Sequence, residues 1–310
     1  MRNIFITGGA GFIGSNLVKA LVNKHYKIIV YDNLSTGTIE NLSSVINKID
    51  FYNGDLLDTD FLINCIKGCD FVFHLAANAD VRFGIDHPSK DLHQNTIATF
   101  NVLEAMRENN IQKIAFSSTG SVYGEALVIP TPENAPFPIQ TSLYSASKLA
   151  GEGLIEAYCE GFGFQAWIFR FVSVLGPKYS HGHVIDFYNQ LIEHPDVLKV
   201  LGNGTQTKSY MHVNDCINGM LHAVNWSNKK INLFNLGTDE TITVNDSIKI
   251  LCNYLNLSPK IEYTGGNQGW IGDNPIIYLN TNKIKSLEWK PKYSIKQGIV
   301  DTIEYLIKNS

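Results

Sequence analysis

A glycine-rich turn between an apolar run and a helical period sets the tightest limit on what this chain can fold into. Ile4-Phe5-Ile6 reads as a buried strand, residues 13–22 as a helix, and Gly8-Gly9-Ala10-Gly11-Phe12-Ile13-Gly14 joins them. Glycines 8, 11 and 14 stand at G-x-x-G-x-x-G spacing. Gly8 permits a tight turn, Gly11 lets backbone approach a pyrophosphate, and Gly14 lets the helix pack closely on the sheet. The free N–H groups and dipole of the helix N-terminus then attract phosphate. The spacing alone is weak; its place between strand and helix makes it a dinucleotide loop rather than a ligand-free turn.

The first two-thirds of the 310 residues repeat this rhythm. Strand-like runs at 3–7, 27–31, 50–53, 71–75, 113–117 and 165–169 alternate with helical periods at 13–22, 61–66, 91–108 and 144–159. The alternation predicts an α/β fold, a Rossmann-type doubly wound parallel sheet covered by helices on both faces. After about Phe171 the rhythm breaks, and Gly176-Pro177, Gly202-Asn203-Gly204 and residues 265–272 read as loops of a smaller α/β domain. So long a chain exceeds one compact core. The expected first domain is 1–172 with a returning segment near 212–236; the second is 173–211 plus 237–310.

Composition narrows the partners. With 44% hydrophobic and 17% charged residues the chain is ordinary globular material. A net charge of -4 gives no footprint for nucleic acid or an anionic membrane. No apolar run reaches the ~20 residues of a membrane span. Met1 to Thr7 enters a strand directly, without the apolar run of a secretory leader, so a cytoplasmic protein is expected. The five cysteines form no CxxC pair; Cys65 and Cys69 lie one helical turn apart, but with no second ligand pair nearby they read as buried thiols.

Asp32 ends the second strand, near the ~20 residues beyond the loop where a carboxylate meets the adenosine ribose and repels a 2′-phosphate. NAD is therefore favoured over NADP. Asp55, just past the third strand, is placed to accept from the adenine amino group. Tyr144 and Lys148 share one helical face. A neighbouring ammonium and the positive nicotinamide would stabilise a phenolate. Lowering a tyrosine from ~10 to neutral pH asks about 4 kcal/mol of that environment. Tyr144 could then take a proton from a substrate hydroxyl while hydride leaves the same carbon. Ser117-Ser118-Thr119 ends a strand, where such sheets place active-site groups, and Thr119 could bond the same hydroxyl.

These residues resemble the extended short-chain dehydrogenase/reductases, specifically the NAD-dependent nucleotide-sugar epimerase/dehydratase group. The likeness runs from the glycine loop through Asp32-Asn33-Leu34, Gly54-Asp55-Leu56, His74-Leu75-Ala76-Ala77, Asn95 and Asn101. It continues through Ser117–Gly124, Tyr144 with Lys148, Arg170 to Pro177, Gly202 to Gln206 and Glu288-Trp289-Lys290-Pro291. It implies a catalytic trio of Thr119, Tyr144 and Lys148, with Asn95 positioning. It assigns cofactor contacts to Gly8, Gly11, Phe12, Ile13, Gly14, Asp32, Asn33, Ser35, Thr36, Gly37, Asp55, Leu56, Leu75, Ala76, Ala77, Asn95, Ser117, Tyr144 and Lys148. Substrate contacts fall on Arg82, Thr119, Ser173, Lys208 and Trp270, and a C-terminal domain is implied to grip a nucleoside-diphosphate sugar. No metal is implied. A homodimer built on the helices near 91–108 and 144–159 is.

Within that group, dehydratases carry an Asp-Glu pair directly after the catalytic Thr, because losing water needs an added acid and base. Here Gly120 and Ser121 stand there, and Ser121 also replaces the Glu of uronate decarboxylases. Epimerisation at C4 needs only the trio and a pocket in which a 4-keto sugar can turn. The Gly269–Asp273 loop resembles the shorter UDP-glucose/UDP-galactose 4-epimerases. Three departures bear on the sugar and diphosphate: Ser173 in place of Asn, Lys208 where many members have Arg, and Gln268 near another Arg position. Ile277, smaller than a blocking Tyr, leaves N-acetylated sugars open. Ser173 and Asp80-Val81-Arg82 keep UDP-glucuronate as the alternative. A non-catalytic NAD-binding regulator is the rival of another class; such proteins commonly lose the Tyr or Lys. His181 and His183 read as a substrate-side or surface loop rather than a metal pair, and Glu125, Glu133 and Asp186 as solvated or capping groups.

Overall fold

The computed structural model describes residues 2–79, 83–137, 139–270 and 272–309, with the backbone alone at Phe83. The chain forms two compact units.

The first unit comprises Met1–Val122, Ser142–Arg170 and Met220–Phe234. Its sheet contains β1 (Asn3–Thr7), β2 (Lys27–Asp32), β3 (Asp50–Asn53), β4 (Phe71–His74), β5 (Lys113–Thr119), β6 (Gln165–Phe171) and β7 (Ile231–Leu236). The spatial order is β3-β2-β1-β4-β5-β6-β7. β1 pairs in parallel with both β2 and β4, with Thr7 opposite Tyr31 and His74. The order reverses at β1, so a crevice opens beyond the carboxyl ends of β1 and β4. Ile4, Phe5, Ile6, Phe71, Val72 and Phe73 are fully buried. These continuous apolar runs suit strands covered on both faces.

Helix α1 (Phe12–Val22) follows β1, and α2 (Thr59–Cys65) starts on an Asp58 cap that accepts from the Phe61 N–H. The helical period at 91–108 is not one regular helix. A π-helical turn, Leu92–Ile97, precedes α3 (Ala98–Glu108) and points Asn95 inward. Helix α4 (Leu143–Phe162) starts where the Ser142 hydroxyl caps the Ser145 N–H and stops at left-handed Gly163.

The second unit comprises Tyr123–Thr141, Phe171–Gly219 and Asn235–Ser310. Short strand pairs (Ser173–Leu175 with Tyr210–His212, Val197–Val200 with Lys260–Tyr263) and a three-stranded patch of Thr207–Lys208, Ile242–Thr243 and Ile276–Ile277 pack with three longer helices. Tyr123–Thr141 was expected in the first unit. Its backbone explains the difference: Thr131 accepts from the Asn280 N–H at 2.9 Å and donates to the Tyr278 carbonyl at 2.8 Å. The Asn235 N–H also donates to Glu133 at 2.9 Å. The returning stretch is correspondingly Met220–Phe234, shorter than the 212–236 expected.

Candidate active site

Gly8 and Gly14 sit where any larger residue would collide. Gly8 has φ +67°, and a Cβ there would lie 2.6 Å from the Ala76 nitrogen. A Cβ on Gly14 would fall 2.1 Å from the Gly8 carbonyl oxygen. Helix α1 starts after Gly11 with no side-chain cap, and the positive end of its dipole faces the turn where a phosphate would be held. Asp32 is buried; its two oxygens accept from the Ala10 N–H at 2.9 Å and the Leu34 N–H at 2.8 Å. Burial pushes its pKa up, and these two backbone bonds pull it down. Each oxygen keeps a further acceptor site for a ribose hydroxyl. Asn33 donates to Asp55 at 2.9 Å and accepts from the Ser35 N–H at 3.0 Å, fixing the turn that carries Thr36 and Gly37. A helix start facing the turn, a cramped glycine backbone and a carboxylate beside it fit a dinucleotide.

Behind this cradle runs a chain of buried hydrogen bonds. The Leu75 and Ala76 N–H groups both reach the Thr7 hydroxyl at 3.2 Å, so Thr7 donates onward to His74 Nδ1 at 2.8 Å. His74 Nε2–H then meets the Thr99 hydroxyl at 3.0 Å, and Thr99 donates to the Asn95 carbonyl. This order requires a neutral ring. Burial, aided by Lys148, pushes the His74 pKa down to about 3. The side chain of Asn95 is occupied by Asn78, Asp91 and Ser147, and Ser147 donates to the Tyr144 carbonyl at 2.8 Å. Asn95 thus supports the helix start rather than offering its amide freely.

Thr119, Tyr144 and Lys148 come together in the first unit, on the end of β5 and the first turns of α4. The Thr119 oxygen accepts from the Ser121 N–H at 3.1 Å and its hydroxyl bonds Tyr144. Lys148 is buried, donates to the Ser117 carbonyl at 2.7 Å and lies 4.7 Å from the Phe116 ring centre. Burial pushes Tyr144 up to about 12, against the Thr119 bond, and Asp91 adds to the rise. Burial pushes Lys148 down to about 7, opposed by Glu152 and Asp91. Both groups are thereby driven toward neutral forms.

In the second unit, Lys208 pairs with buried Asp273 at 2.6 Å and lies 4.9 Å from the Trp270 ring centre. Gly269 N–H holds the other Asp273 oxygen at 3.0 Å. Trp270 Nε1 and Gln206 Oε1 are buried without hydrogen-bond partners. Trp270, Gln268 and Ile276 line a cavity of about 800 Å³ together with Glu125, Asn267 and Asn274. Ser173 is exposed on its strand, and Ile277 pairs in register with Lys208. His181 is exposed. His183 packs on Tyr210 at 4.9 Å and is held neutral, its pKa pushed down to about 3 by burial and then by Lys208. Arg82, expected at the substrate, lies outside the described residues.

Three groups were not foreseen: His74 as a link in the chain above, the Asp91 carboxylate near Tyr144, and Asp273 as the partner of Lys208. Only His74 had a signal, its place at the end of β4 opposite Thr7.

A sequence model of the NAD dependent epimerase/dehydratase family matches residues 4–237. The putative UDP-glucose 4-epimerase of Methanocaldococcus jannaschii is 34% identical over 315 residues, which span 99% of each chain. The UDP-glucose 4-epimerase of Thermotoga maritima, solved with UDP-glucose, matches at TM-score 0.91 and 32% identity over 99% of each chain. The UDP-glucuronic acid 4-epimerase of Bacillus cereus, solved with its sugar nucleotide and NAD, matches at TM-score 0.90 and 28% identity over 100% of each chain.

Proposed function

The chain belongs to the NAD-dependent epimerase/dehydratase family, and from that premise we propose that it interconverts UDP-glucose and UDP-galactose. It is an isomerase of the nucleotide-sugar 4-epimerase kind, with NAD as cofactor. The observation that carries the reading is a complete Thr119, Tyr144 and Lys148 trio beside Gly120 and Ser121, which offer neither acid nor base for an elimination. Bound NAD⁺ supplies the acceptor for hydrogen from C4. Tyr144 takes the proton from the C4 hydroxyl, Thr119 hydrogen-bonds that oxygen, and Lys148 provides the positive charge that favours the phenolate. Tyr144 returns its proton to the oxygen of the turned 4-keto sugar as the hydride goes back to the other face of C4, so no net oxidation remains.

In this reading the cavity beside Trp270 and Lys208 takes the nucleoside diphosphate. Lys208 is its point charge, and Ile277, smaller than a blocking Tyr, keeps N-acetylated sugars among the substrates to test. UDP-glucuronate is the second reading, favoured by the small hydroxyl of Ser173 and the likeness to the Bacillus cereus enzyme. Exposed Phe100 on α3 and Leu143 and Phe162 on α4 support a homodimer through these helices. Five free, buried cysteines support a reducing, cytoplasmic setting.

The test is direct. Purified protein given UDP-galactose without added cofactor yields UDP-glucose, identified by NMR, and UDP-glucuronate and UDP-N-acetylglucosamine run in parallel rank the sugars. Tyr144→Phe abolishes turnover. Retained turnover in that variant refutes the mechanism, and no turnover with any nucleotide sugar favours a regulator.

A further inference from the structure

Three consecutive residues at the end of β5 each hold one residue of α4. The Ser117 carbonyl accepts from Lys148, the Ser118 hydroxyl donates to Glu152, and the Thr119 hydroxyl bonds Tyr144. On α4 the partners stand at 144, 148 and 152, successive turns of one face. The Glu152 contact is also anchored from a third element. Arg170 on β6 grips both carboxylate oxygens, Nη2 to Oε2 at 2.6 Å and Nε to Oε1 at 3.0 Å. Glu152 and Arg170 are each about 2% exposed, so the pair is out of water and fixed by its fork geometry.

We propose that Glu152, clamped by Arg170, is a positioning residue that sets α4 against the end of β5 and so places Lys148 and Tyr144. This rests on the catalytic reading above. Side chains at 144 and 148 face a strand end that could slide along the helix. A buried ion pair one turn further on removes that freedom, because slippage would leave an uncompensated charge. Placement also matters electrically. The charged and titratable groups around Lys148 are Glu152 on its own helix, Asp91 ahead of the π-turn, His74 on β4 and Tyr144. Asp91 favours the ammonium but opposes the phenolate, whereas Glu152 favours the ammonium from two helical turns beyond Tyr144. Glu156, one turn beyond, faces the pair from the same helix.

Two variants of the holoenzyme test this. Ser118→Ala removes one hydroxyl and leaves the Glu152–Arg170 pair whole, so it folds even if changes to the pair do not. Its kcat falls about tenfold, the size of one lost bond to a charged group, while KM and bound NAD stay within twofold of wild type. Glu152→Gln keeps shape but not charge. It lowers kcat and shifts the acid limb of the pH profile upward by about one unit. The phenolate absorbance absent from Tyr144→Phe shifts with it. A merely structural pair would lower melting temperature and leave kcat, the limb and the absorbance midpoint unmoved, and that result overturns the proposal. Tyr144→Phe separates the two failures: if it abolishes turnover while both variants behave as wild type, only the positioning role falls. If it turns over normally, the catalytic reading falls.

Discussion

Two alanine substitutions in the glycine turn should part company. At Gly14 an added methyl would meet the Gly8 oxygen at 2.1 Å, the Gly9 Cα at 2.7 Å and the Gly8 carbonyl carbon at 2.9 Å. All three are backbone atoms and cannot rotate away. Overpacking of this kind costs about 1–3 kcal/mol, and the ~1 kcal/mol that Ala gains over Gly inside a helix offsets only part of it. At Gly11 the methyl would meet only the Gly8 oxygen, at 3.3 Å. Its backbone (φ −76°, ψ −178°) is one any residue adopts. Cofactor-stripped Gly14→Ala should therefore melt a few degrees below wild type, at roughly 2–4 °C per kcal/mol for a large domain. Gly11→Ala should melt with wild type or slightly above it. Both should lose NAD affinity at least tenfold, or about 1.4 kcal/mol, by calorimetry: one because the helix start has moved, the other because its methyl stands in the path of the pyrophosphate. Wild-type affinity in Gly11→Ala would remove the pyrophosphate from this loop. A wild-type melt in Gly14→Ala would refute the steric reasoning.

Asp32→Ala should erase the preference for NAD over NADP in binding titrations. It should also destabilise the apo protein by about 1–3 kcal/mol, because the Ala10 and Leu34 N–H groups lose their acceptor. Lys208→Gln should raise KM for the UDP-sugar at least tenfold with kcat little changed. It should also lower the melting temperature by leaving Asp273 unpaired; adding Asp273→Asn should restore the melt but not KM. His183 sits near pKa 3 when folded and near 6.5 when unfolded, so the unfolded chain takes the proton first. Its contribution is full above pH 6.5 and lost as pH falls toward 3. His183→Phe should flatten the fall in melting temperature between pH 7 and 5, and an unchanged slope would contradict a neutral, buried ring.

What was legible in the sequence was local. The glycine turn, Asp32 and the Tyr144–Lys148 pair depend on spacings of a few residues or on one strand end, and the helical and strand periods carry those directly. The clamp on α4 was not legible, because Arg170 meets Glu152 across 18 residues and Ser118 meets it across 34. No periodicity links a β6 residue to a helix face. The π-turn at Leu92–Ile97 escaped for the opposite reason: its apolar pattern fits an ordinary helix, and only the inward polar network of Asn95 shows the extra residue per turn. For Lys208 the resemblance implies a diphosphate contact, because it stands where many members have Arg. Its engagement with Asp273 depends on a loop 65 residues later.

The same burial that makes the trio precise also keeps it idle. With Tyr144 pushed up to about 12, acting as a base near pH 7 demands about 7 kcal/mol of stabilisation, nearly twice what an unperturbed phenol needs. Thr119 donates one hydrogen bond toward this, and Asp91 works against it. Lys148, pushed down to about 7 by burial even with Glu152 and Asp91 favouring its charge, carries only part of that charge near neutral pH. The remaining stabilisation must come from positive charge that arrives with the cofactor, in a site dry enough for that charge to act strongly. A wetter pocket would ease Tyr144 and Lys148 individually, yet it would weaken every interaction between them. Burial is therefore consistent with catalysis only where a cation is bound alongside. On the proposed reading, this couples proton transfer at one sugar carbon to the glycine turn that would hold the dinucleotide.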